Sequence, residues 1–484
     1  TERYNQMTRG FAYNTSSPLQ PRVPSLPLFG GLLFAGANGQ PRGQTYPQWR
    51  NFAPRIGIAY QLHQRMVLRA GYGIFYAGTT TQGRGTAASP GFSLATPMVT
   101  SLDGIRPQDL LSNPFPNGLL APIGSSEGLL TLAGQGVSFT EVTRPISYSQ
   151  QYSFGLQFEP ANNLLIEATY SGNRGIHLQN SNKNIDQLTA DQLRRQDALL
   201  ARVPNPFFGL IQVGSLASST TTVAQLARPY PHFTGVTLRE FTDGSATYHA
   251  FLLKLERRFA RGFTFLASYT NSKLIDNIGT RQDNYNRAAE RSLSAIHVPQ
   301  RLVLSGVWEI PVGPGRQWSG GGNRVARRLL EGWQFDWIGT LQAGRVLAVT
   351  SSVNTTQSQG GGQRPNSTGK SAKRNGPVTE RRNGYFDVAQ FANPAPFQFG
   401  NLARTLPDVA GPGWHVWDVS IIKTTRIRES LRFQLRGEAF NALNRAVFAN
   451  PGLVFGTASF GRINAVADRA NPARQIMLGA KLIW

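Results

Sequence analysis

The sequence predicts an all-β protein built from antiparallel strands, and three observations support this prediction. Apolar residues recur at every second position, as in a strand, and not with the 3.6-residue period of a helix. Short turns alternate regularly with much longer connections. Of the 484 residues, 40% are apolar, yet no run approaches the roughly 18 apolar residues of a membrane-spanning helix. The chain is therefore neither disordered nor a helical membrane protein.

The alternation is clearest over residues 148–158. Tyr152 and Phe154 lie on one face of this segment, whereas Gln151 and Ser153 lie on the other. Similar segments of about 8–12 residues, close to the ~9–11 that a tilted membrane strand needs, recur along the chain. With 148–158 they predict about eleven strands: 54–62, 66–76, 164–171, 248–257, 263–270, 301–310, 333–341, 417–425, 431–440 and 474–484.

The connections between the predicted strands alternate in length. Short turns lie on one side and long irregular segments on the other, which is typical of an outer-membrane β-barrel with short periplasmic turns and long extracellular loops. One short-side connection is longer and contains an amphipathic helical turn at 325–330. The predicted long segments are 77–147, 171–246, 271–298, 350–413 and 442–473.

The two faces of the predicted strands differ in chemistry. One face carries aromatic residues suited to the headgroup level of a bilayer: Tyr60, Tyr72, Tyr76, Tyr148, Phe158, Tyr170, Phe263, Tyr269, Trp308, Trp333, Trp337 and Trp417. The opposite face carries charges that a dry core could not bury, and we expect them to line a hydrated lumen. These candidate lumen-wall residues are Arg55, Arg69, Glu167, Lys254, Glu256, Arg301, Asp336, Arg432, Arg436 and Glu438.

Motifs for catalysis or metal binding are weak. The chain has no cysteine, and its six histidines form no metal-ligand spacing. The segment 124–128 matches a nucleophile-elbow pattern, but it lacks the flanking strand and helix, which favours a flexible loop. Before Lys370 and Ser371, Arg364 stands where a phosphate loop needs its first glycine. We expect no catalytic residue, no metal and no cofactor.

The net charge of +23 indicates anionic surroundings, and part of it is concentrated in one long connection. Nucleic-acid binding is disfavoured because aromatic residues that could stack on bases are nearly absent there. Three interpretations stay open: a solvated loop, contact with phosphorylated lipid such as lipopolysaccharide, or capture of an anionic ligand. The residues concerned are Arg364, Lys370, Lys373, Arg374, Arg381 and Arg382.

The last segment alternates between apolar and polar residues and ends on an aromatic residue. Leu482 and Trp484 therefore resemble the signal that the outer-membrane barrel-assembly machinery reads. The alternative is that Trp484 only anchors the strand at the membrane interface.

Several ordered stretches together resemble the barrel of Oar-like TonB-dependent receptors. They are 51–60, 69–76, 253–259, 267–273, 436–444 and 460–463. The resemblance implies an outer-membrane transporter in which a plug fills the barrel and the TonB complex pulls on an N-terminal box. We expect residues 1–484 to be the C-terminal part of such a barrel, without the plug and N-terminal domains, because an odd number of strands does not close.

The resemblance assigns ligand capture to the extracellular loops and the passage wall to the inward strand faces. The transported ligand is not indicated by the sequence. Two other functions stay open, namely a structural or adhesive surface barrel and a passive porin-like channel. The family contacts expected are outer-membrane lipid and lipopolysaccharide, the TonB complex through the region before this chain, and the barrel-assembly machinery.

Overall fold

One continuous antiparallel sheet dominates the structure, a computed structural model. It describes residues 8–43, 46–77, 90–96, 98, 100, 105–106, 109–116, 118–313, 317–318, 323–467 and 473–484. Eleven long strands follow one another in chain order across the sheet, each paired antiparallel with the next. They are β1 Arg55–His63, β2 Met66–Tyr76, β3 Tyr148–Ala161, β4 Leu164–Leu178, β5 Gly244–Ala260, β6 Phe263–Asp276, β7 Gln300–Glu309, β8 Trp333–Gln342, β9 Trp414–Arg426, β10 Arg432–Phe440 and β11 Gln475–Ile483.

The all-β class, the antiparallel barrel-type sheet and the positions of its strands confirm the prediction from sequence. The short turns also lie where they were expected, with Asn163 and Arg261 in the left-handed conformation that tight turns need. Three α-helices lie in the described residues: α1 Ala190–Leu193, α2 Val223–Leu226 and α3 Arg324–Leu330. Helix α3 lies in the longest of the connections on the short-turn side. Among the described residues, no helix is long and apolar enough to cross a membrane.

Several strands extend past their predicted ends on the long-connection side. The sequence predicts that β4 ends at residue 171 and β6 at residue 270, but they continue to Leu178 and Asp276. The backbone pairing simply continues there, with Ala246 of β5 lying between Gly175 and Asp276. Outside hydrocarbon a strand needs no apolar face, so apolar alternation does not mark these extensions.

The apolar face of the sheet points outward. Phe154 is 54% exposed and Leu253 is 40% exposed. The four buried apolar clusters of the described residues contain neither of these side chains, nor Trp337 or Phe433. The sheet therefore does not close over a compact dry core, and its apolar side chains are free to meet lipid.

The sequence predicts that the long connections are irregular. In the structure they instead pack together at one rim of the sheet. We call the described residues of 8–43 and of the five long connections (77–147, 179–243, 277–299, 343–413 and 441–474) the loop domain. Each of its four buried clusters joins at least two of these segments: Phe11, Phe139 and Phe233; Leu28 and Phe207; Leu188 and Phe397; Phe386 and Ile463. Hydrophobic burial, worth roughly 1.5–3 kcal/mol for each large side chain, holds the loop domain together.

Short elements give the loop domain local regularity. Most form two-stranded pairs, whereas the parallel pair of Gly136–Phe139 with Gly235–Leu238 belongs to a three-stranded sheet. The remaining short strands are Thr8–Phe11, Leu32–Phe34, Lys183–Asn184, Arg202–Pro204, Thr220–Thr222, Ser292–Leu293, Thr350–Ser351, Asn366–Ser367, Phe391–Ala392 and Val454–Phe455. Single 3₁₀ turns are formed by Gln20–Arg22, Gly128–Leu130, Gln196–Leu200, Gly214–Ala217, Ala288–Glu290, Arg382–Gly384 and Val388–Gln390.

Buried ion pairs join separate segments of the loop domain. The Arg364 guanidinium donates from Nη1 and Nη2 to the Glu290 carboxylate at 2.8 and 3.1 Å. Arg404 donates to the Glu290 main-chain carbonyl at 3.0 Å and pairs with Asp276. All four residues are at least nine-tenths buried, so the fourth connection is fixed to the third and to the end of β6.

An amide side chain provides a second cross-link. The Gln187 amide nitrogen donates to the Gln282 carbonyl at 2.8 Å and to the Gly360 carbonyl at 3.2 Å. Its carbonyl oxygen accepts from the Asn284 main-chain N–H at 2.8 Å. One fully buried side chain thus satisfies backbone groups of the third and fourth connections from its place in the second.

We predict that Glu290→Ala weakens the loop domain by about 3–5 kcal/mol, because Arg364 then stays buried without a counter-charge. Hydrogen exchange of residues 277–299 and 360–367 should accelerate at least about 100-fold, while amides of β5 keep their protection. Asp191→Ala is the matched control, since its ion pair with Arg194 is 81% exposed on both sides and is worth at most about 1 kcal/mol. Equal exchange in the two variants would contradict the prediction.

Candidate functional site

The strand register brings the ten predicted lumen-wall residues to one face of the sheet. Residues that lie opposite each other in paired strands share a face. A row of successive cross-strand partners runs from Arg69 to Arg301 across six strands, by way of Gly155, Thr169, Leu252 and Thr270. A second such row joins Asp336 to Glu438, because Ser420 is the cross-strand partner of both. The twelve predicted aromatic residues all fall on the opposite face by the same register.

Charges of both signs are mixed on this polar face. Lys254 Nζ lies 2.7 Å from the Glu256 carboxylate, and Glu167 is the cross-strand partner of Lys254. Farther along the sheet, Arg436 Nη1 lies 3.4 Å from the Glu438 carboxylate. These side chains are intermediate to exposed, so water reaches them and the ion pairs contribute little to stability. The face can therefore offer both donors and acceptors to a polar solute.

Other positions on this face carry cationic and amide groups as well. The Arg55 guanidinium lies 4.6 Å from the centre of the Phe75 ring. Gln334 donates to the Asp336 carboxylate at 2.7 Å. Arg432 is exposed and lies opposite Arg426 at the short-turn rim, so two like charges are adjacent there. That pairing would be unfavourable in a dry core and is tolerated where water screens it.

The basic connection divides into buried and exposed cations. Arg364 is 5% exposed and its guanidinium is engaged by Glu290 and by the Leu402 carbonyl at 2.9 Å. It is a structural residue of the loop domain, not part of an exposed basic surface. Sequence reasoning missed this role because Glu290 lies 74 positions away.

Two further arginines interact mainly with residues of their own segment, 374–387. Arg381 donates to the carbonyls of Arg374 and Tyr385 at 2.8 and 3.0 Å, and its guanidinium lies 4.4 Å from the Tyr385 ring centre. Arg374 lies 3.6 Å from the Asp387 carboxylate. Lys370, Lys373 and Arg382 are exposed. Each of these three cations is therefore open to solvent and can meet an anion.

A cleft of about 360 Å³ lies beside Lys370. Lys370, Ser371, Asn401 and Asp408 are among its lining residues, so it presents a cation, an anion, a hydroxyl and an amide. Its floor is apolar and includes Phe391. Its volume is within the range of small-molecule sites, and its polar groups suit a small polar solute.

Other sequence motifs have structural roles. Ser126 of the elbow-like motif donates to the Ile123 carbonyl at 2.6 Å and lies in a turn, as the loop interpretation expects. The described residues contain no group of three or more histidine, aspartate or glutamate side chains that could hold a metal ion. In β11, Leu482 pairs with Phe433 and is 51% exposed, and Trp484 just beyond the strand is 89% exposed.

Two ionisable groups in the loop domain are fully buried. Burial lowers the pKa of His232 to about 4, against the smaller opposing effect of a backbone hydrogen bond at Gly30. Burial raises the pKa of Asp186 to about 7, against the opposing effect of Arg228 at 3.2 Å. Neither residue reaches solvent, so both act on stability and not on a ligand directly.

A sheet with an outward apolar face, an opposite charged face and one rim of long connections defines a β-barrel of the outer membrane. Residues 1–477 match the family model described as outer membrane beta barrel domain, and the chain belongs to this family. The protein is therefore located in the cell outer membrane. No curated protein matches the chain by sequence.

Solved outer-membrane structures resemble the chain at low identity. For the outer membrane transporter YddB from Escherichia coli the identity is 12% and the TM-score 0.41, covering 90% of this chain and 40% of that one. For the FrpB iron transporter from Neisseria meningitidis they are 11% and 0.38, covering 90% and 39%. For the ferripyoverdine receptor of Pseudomonas aeruginosa they are 9% and 0.38, covering 90% and 33%. The chain spans between a third and two fifths of their length.

We predict that the loop domain loses stability as the pH falls from about 6.5 toward 4, because protonating the buried His232 is then unfavourable in the folded state. The slope from this group is at most about 1.4 kcal/mol per pH unit. His232→Leu should flatten the pH profile of limited proteolysis within the loop domain, whereas His63→Leu, at the exposed end of β1, should not.

Asp186 has the opposite effect on the pH dependence of stability, because its ionisation between about pH 4 and 7 is unfavourable in the folded state. Each variant is therefore compared with wild type, in which Asp186 is also present. A His232→Leu profile that coincides with wild type between pH 4 and 6.5 would show that His232 has no such effect.

Proposed function

We propose that the protein forms part of the barrel of a TonB-dependent transporter, whose loop domain captures a ligand and whose polar sheet face lines its passage. The observation that carries this proposal is the register, which separates ten charged residues on one face from twelve aromatic residues on the other. Only a hydrated interior surrounded by lipid suits both faces. The ordered sequence stretches that resemble Oar-like TonB-dependent receptors support the transporter class.

The strand count supports a further part of the proposal, that this chain is the C-terminal part of a larger barrel. Strands β1 and β11 are separated by ten antiparallel steps, so they run in the same direction. They could not pair with each other in an antiparallel wall, and nearly every residue of both is exposed. We propose that the parent protein supplies further strands, a plug and the N-terminal region that contacts the TonB complex.

The C-terminal residues extend this proposal to assembly. Trp484 and Leu482 are exposed on the outer face of an edge strand, where another β-structure could pair with them. This geometry suits recognition by the barrel-assembly machinery. An exposed terminal aromatic residue is equally compatible with anchoring at the interface after assembly.

The class of ligand follows from the exposed cations. Lys370, Lys373 and Arg382 lie on the loop domain, and the cleft beside Lys370 has the size of a small-molecule site. We propose that this surface attracts a phosphate-bearing or otherwise anionic ligand. Lipopolysaccharide of the surrounding outer leaflet is the alternative source of the same phosphate chemistry.

We predict that transport by the parent protein requires energy from the TonB complex. Cells that express the parent protein should accumulate its ligand only while TonB is present, and the purified parent protein should show no sustained ion current in planar bilayers. Continuous conductance without TonB would instead identify a passive channel. Ligand binding at the cell surface with neither uptake nor conductance would identify an adhesive or structural barrel.

We predict that replacing Lys370, Lys373 and Arg382 together by alanine weakens anion binding about tenfold or more at low salt, because three favourable charges are lost. Pyrophosphate tests a soluble ligand and purified lipopolysaccharide tests the lipid source, each by calorimetry. The matched control replaces Arg194, Arg195 and Arg202, which are exposed elsewhere on the loop domain. Equal affinities for both probes in the two triple variants would exclude a specific role for the first set.

A further inference from the structure

A large groove lies on the outer face of the sheet at the short-turn rim. It measures about 1060 Å³ and lies between helix α3 and strands β9–β11. Ile421, Phe433, Leu435 and Leu478 contribute apolar walls from the sheet. By the register these four side chains belong to the lipid-facing set, since Ile421 lies opposite Gly437 and Gly437 lies opposite Leu478. The groove therefore opens toward hydrocarbon.

Helix α3 is held over the sheet by specific contacts. The Asn323 side chain caps its first turn by accepting from the Ala326 N–H at 2.9 Å. Lys423 of β9 donates to the Arg328 carbonyl at 2.7 Å and to the Glu331 carbonyl, so it caps the other end. Trp333 donates from its indole N–H to the Leu329 carbonyl at 2.7 Å. These contacts fix helix α3 in place as one wall of the groove.

The side chains of α3 divide between apolar and cationic groups. Val325 is 66% exposed and Leu329 is 64% exposed, and both line the groove. Arg327 and Arg328 are also exposed, and Arg328 lines the groove as well. On the outer face, the described groove lining contains two cationic residues, Arg328 and Lys423, and no carboxylate. Such a short basic amphipathic helix is suited to the level where acyl chains meet headgroups.

We propose that this groove binds an anionic glycerophospholipid of the periplasmic leaflet, with acyl chains against the sheet and the headgroup phosphate at Arg328 of the lining, while the exposed Arg327 adds positive charge from the same helix. The short turns of an outer-membrane barrel lie on the periplasmic side, so glycerophospholipid is the lipid at this level. The positive lining selects a net negative headgroup over a zwitterionic one. The site is on the outside of the sheet and does not depend on any transported ligand.

Native mass spectrometry of the full chain in phosphatidylcholine nanodiscs containing phosphatidylglycerol tests the proposal. Wild type should retain one phosphatidylglycerol molecule with a preference of about 10- to 30-fold over phosphatidylcholine, as expected for two nearby cations. Arg327→Ala with Arg328→Ala should reduce this preference below about twofold. Arg327→Lys with Arg328→Lys should keep most of it, because the charge is conserved.

The matched control is Arg65→Ala with Arg258→Ala, which removes the same charge from the same rim away from the groove. This control should retain the wild-type preference. Equal retention of the two lipids by wild type would overturn the proposal, and so would the same loss of preference in the control.

A second measurement does not depend on variants of α3. Phosphatidylglycerol with brominated acyl chains should quench Trp333 more than brominated phosphatidylcholine does at equal mole fraction, because Trp333 lines the groove. This difference should disappear in Trp333→Phe while the remaining quenching of the other tryptophans persists. Identical quenching by both lipids in wild type would overturn the proposal as well.

Discussion

The structure depends on one constraint, which is that a backbone in hydrocarbon has no water to hydrogen-bond. The eleven strands meet this constraint by pairing each N–H and C=O with a neighbouring strand over most of the sheet. Pairing fixes the register, and the register fixes which side chains face lipid and which face water. A slip of one residue in β8 would move Trp337 to the charged face and Asp336 to the lipid face.

The loop domain obeys different rules because it lies in water. Its stability comes from four apolar clusters that combine separate connections, and from ion pairs such as Arg364–Glu290 that are buried among them. Desolvation offsets much of the attraction within these pairs, so they contribute less net stability than the apolar clusters do. The result is a folded surface at one rim, in which the cleft beside Lys370 has a defined shape.

The sequence was sufficient to predict the sheet. Strand positions, short turns and the face of every candidate lumen residue follow from alternation alone, because a strand in a membrane must present one apolar face along its whole membrane span. The same reasoning failed where that requirement ends. The extensions of β4 and β6 beyond Ser171 and Thr270 consist mostly of polar residues and glycine, and only their partners show that they are strands.

Contacts between distant segments were beyond prediction. Arg364 looked like a member of an exposed basic run, and its burial depends on a glutamate in another connection. The groove beneath α3 likewise depends on how Lys423 and Trp333 fix a helix whose amphipathic character alone was visible in the sequence. A local sequence pattern indicates the secondary structure and the environment of one segment. The structure of the loop domain depends instead on contacts between segments that are far apart in the sequence.

The buried amide of Gln187 has a consequence for how homologous chains can be recombined. Its partners Gln282, Asn284 and Gly360 come from two other connections, and each contributes a main-chain group whose position depends on its own segment. A chimera whose crossover falls within a strand between them inherits the glutamine from one parent and some of its main-chain partners from another. Exchanges that keep residues 187, 282–284 and 358–360 from a single parent should yield hybrids with a protease-resistant loop domain, and those that separate them should not.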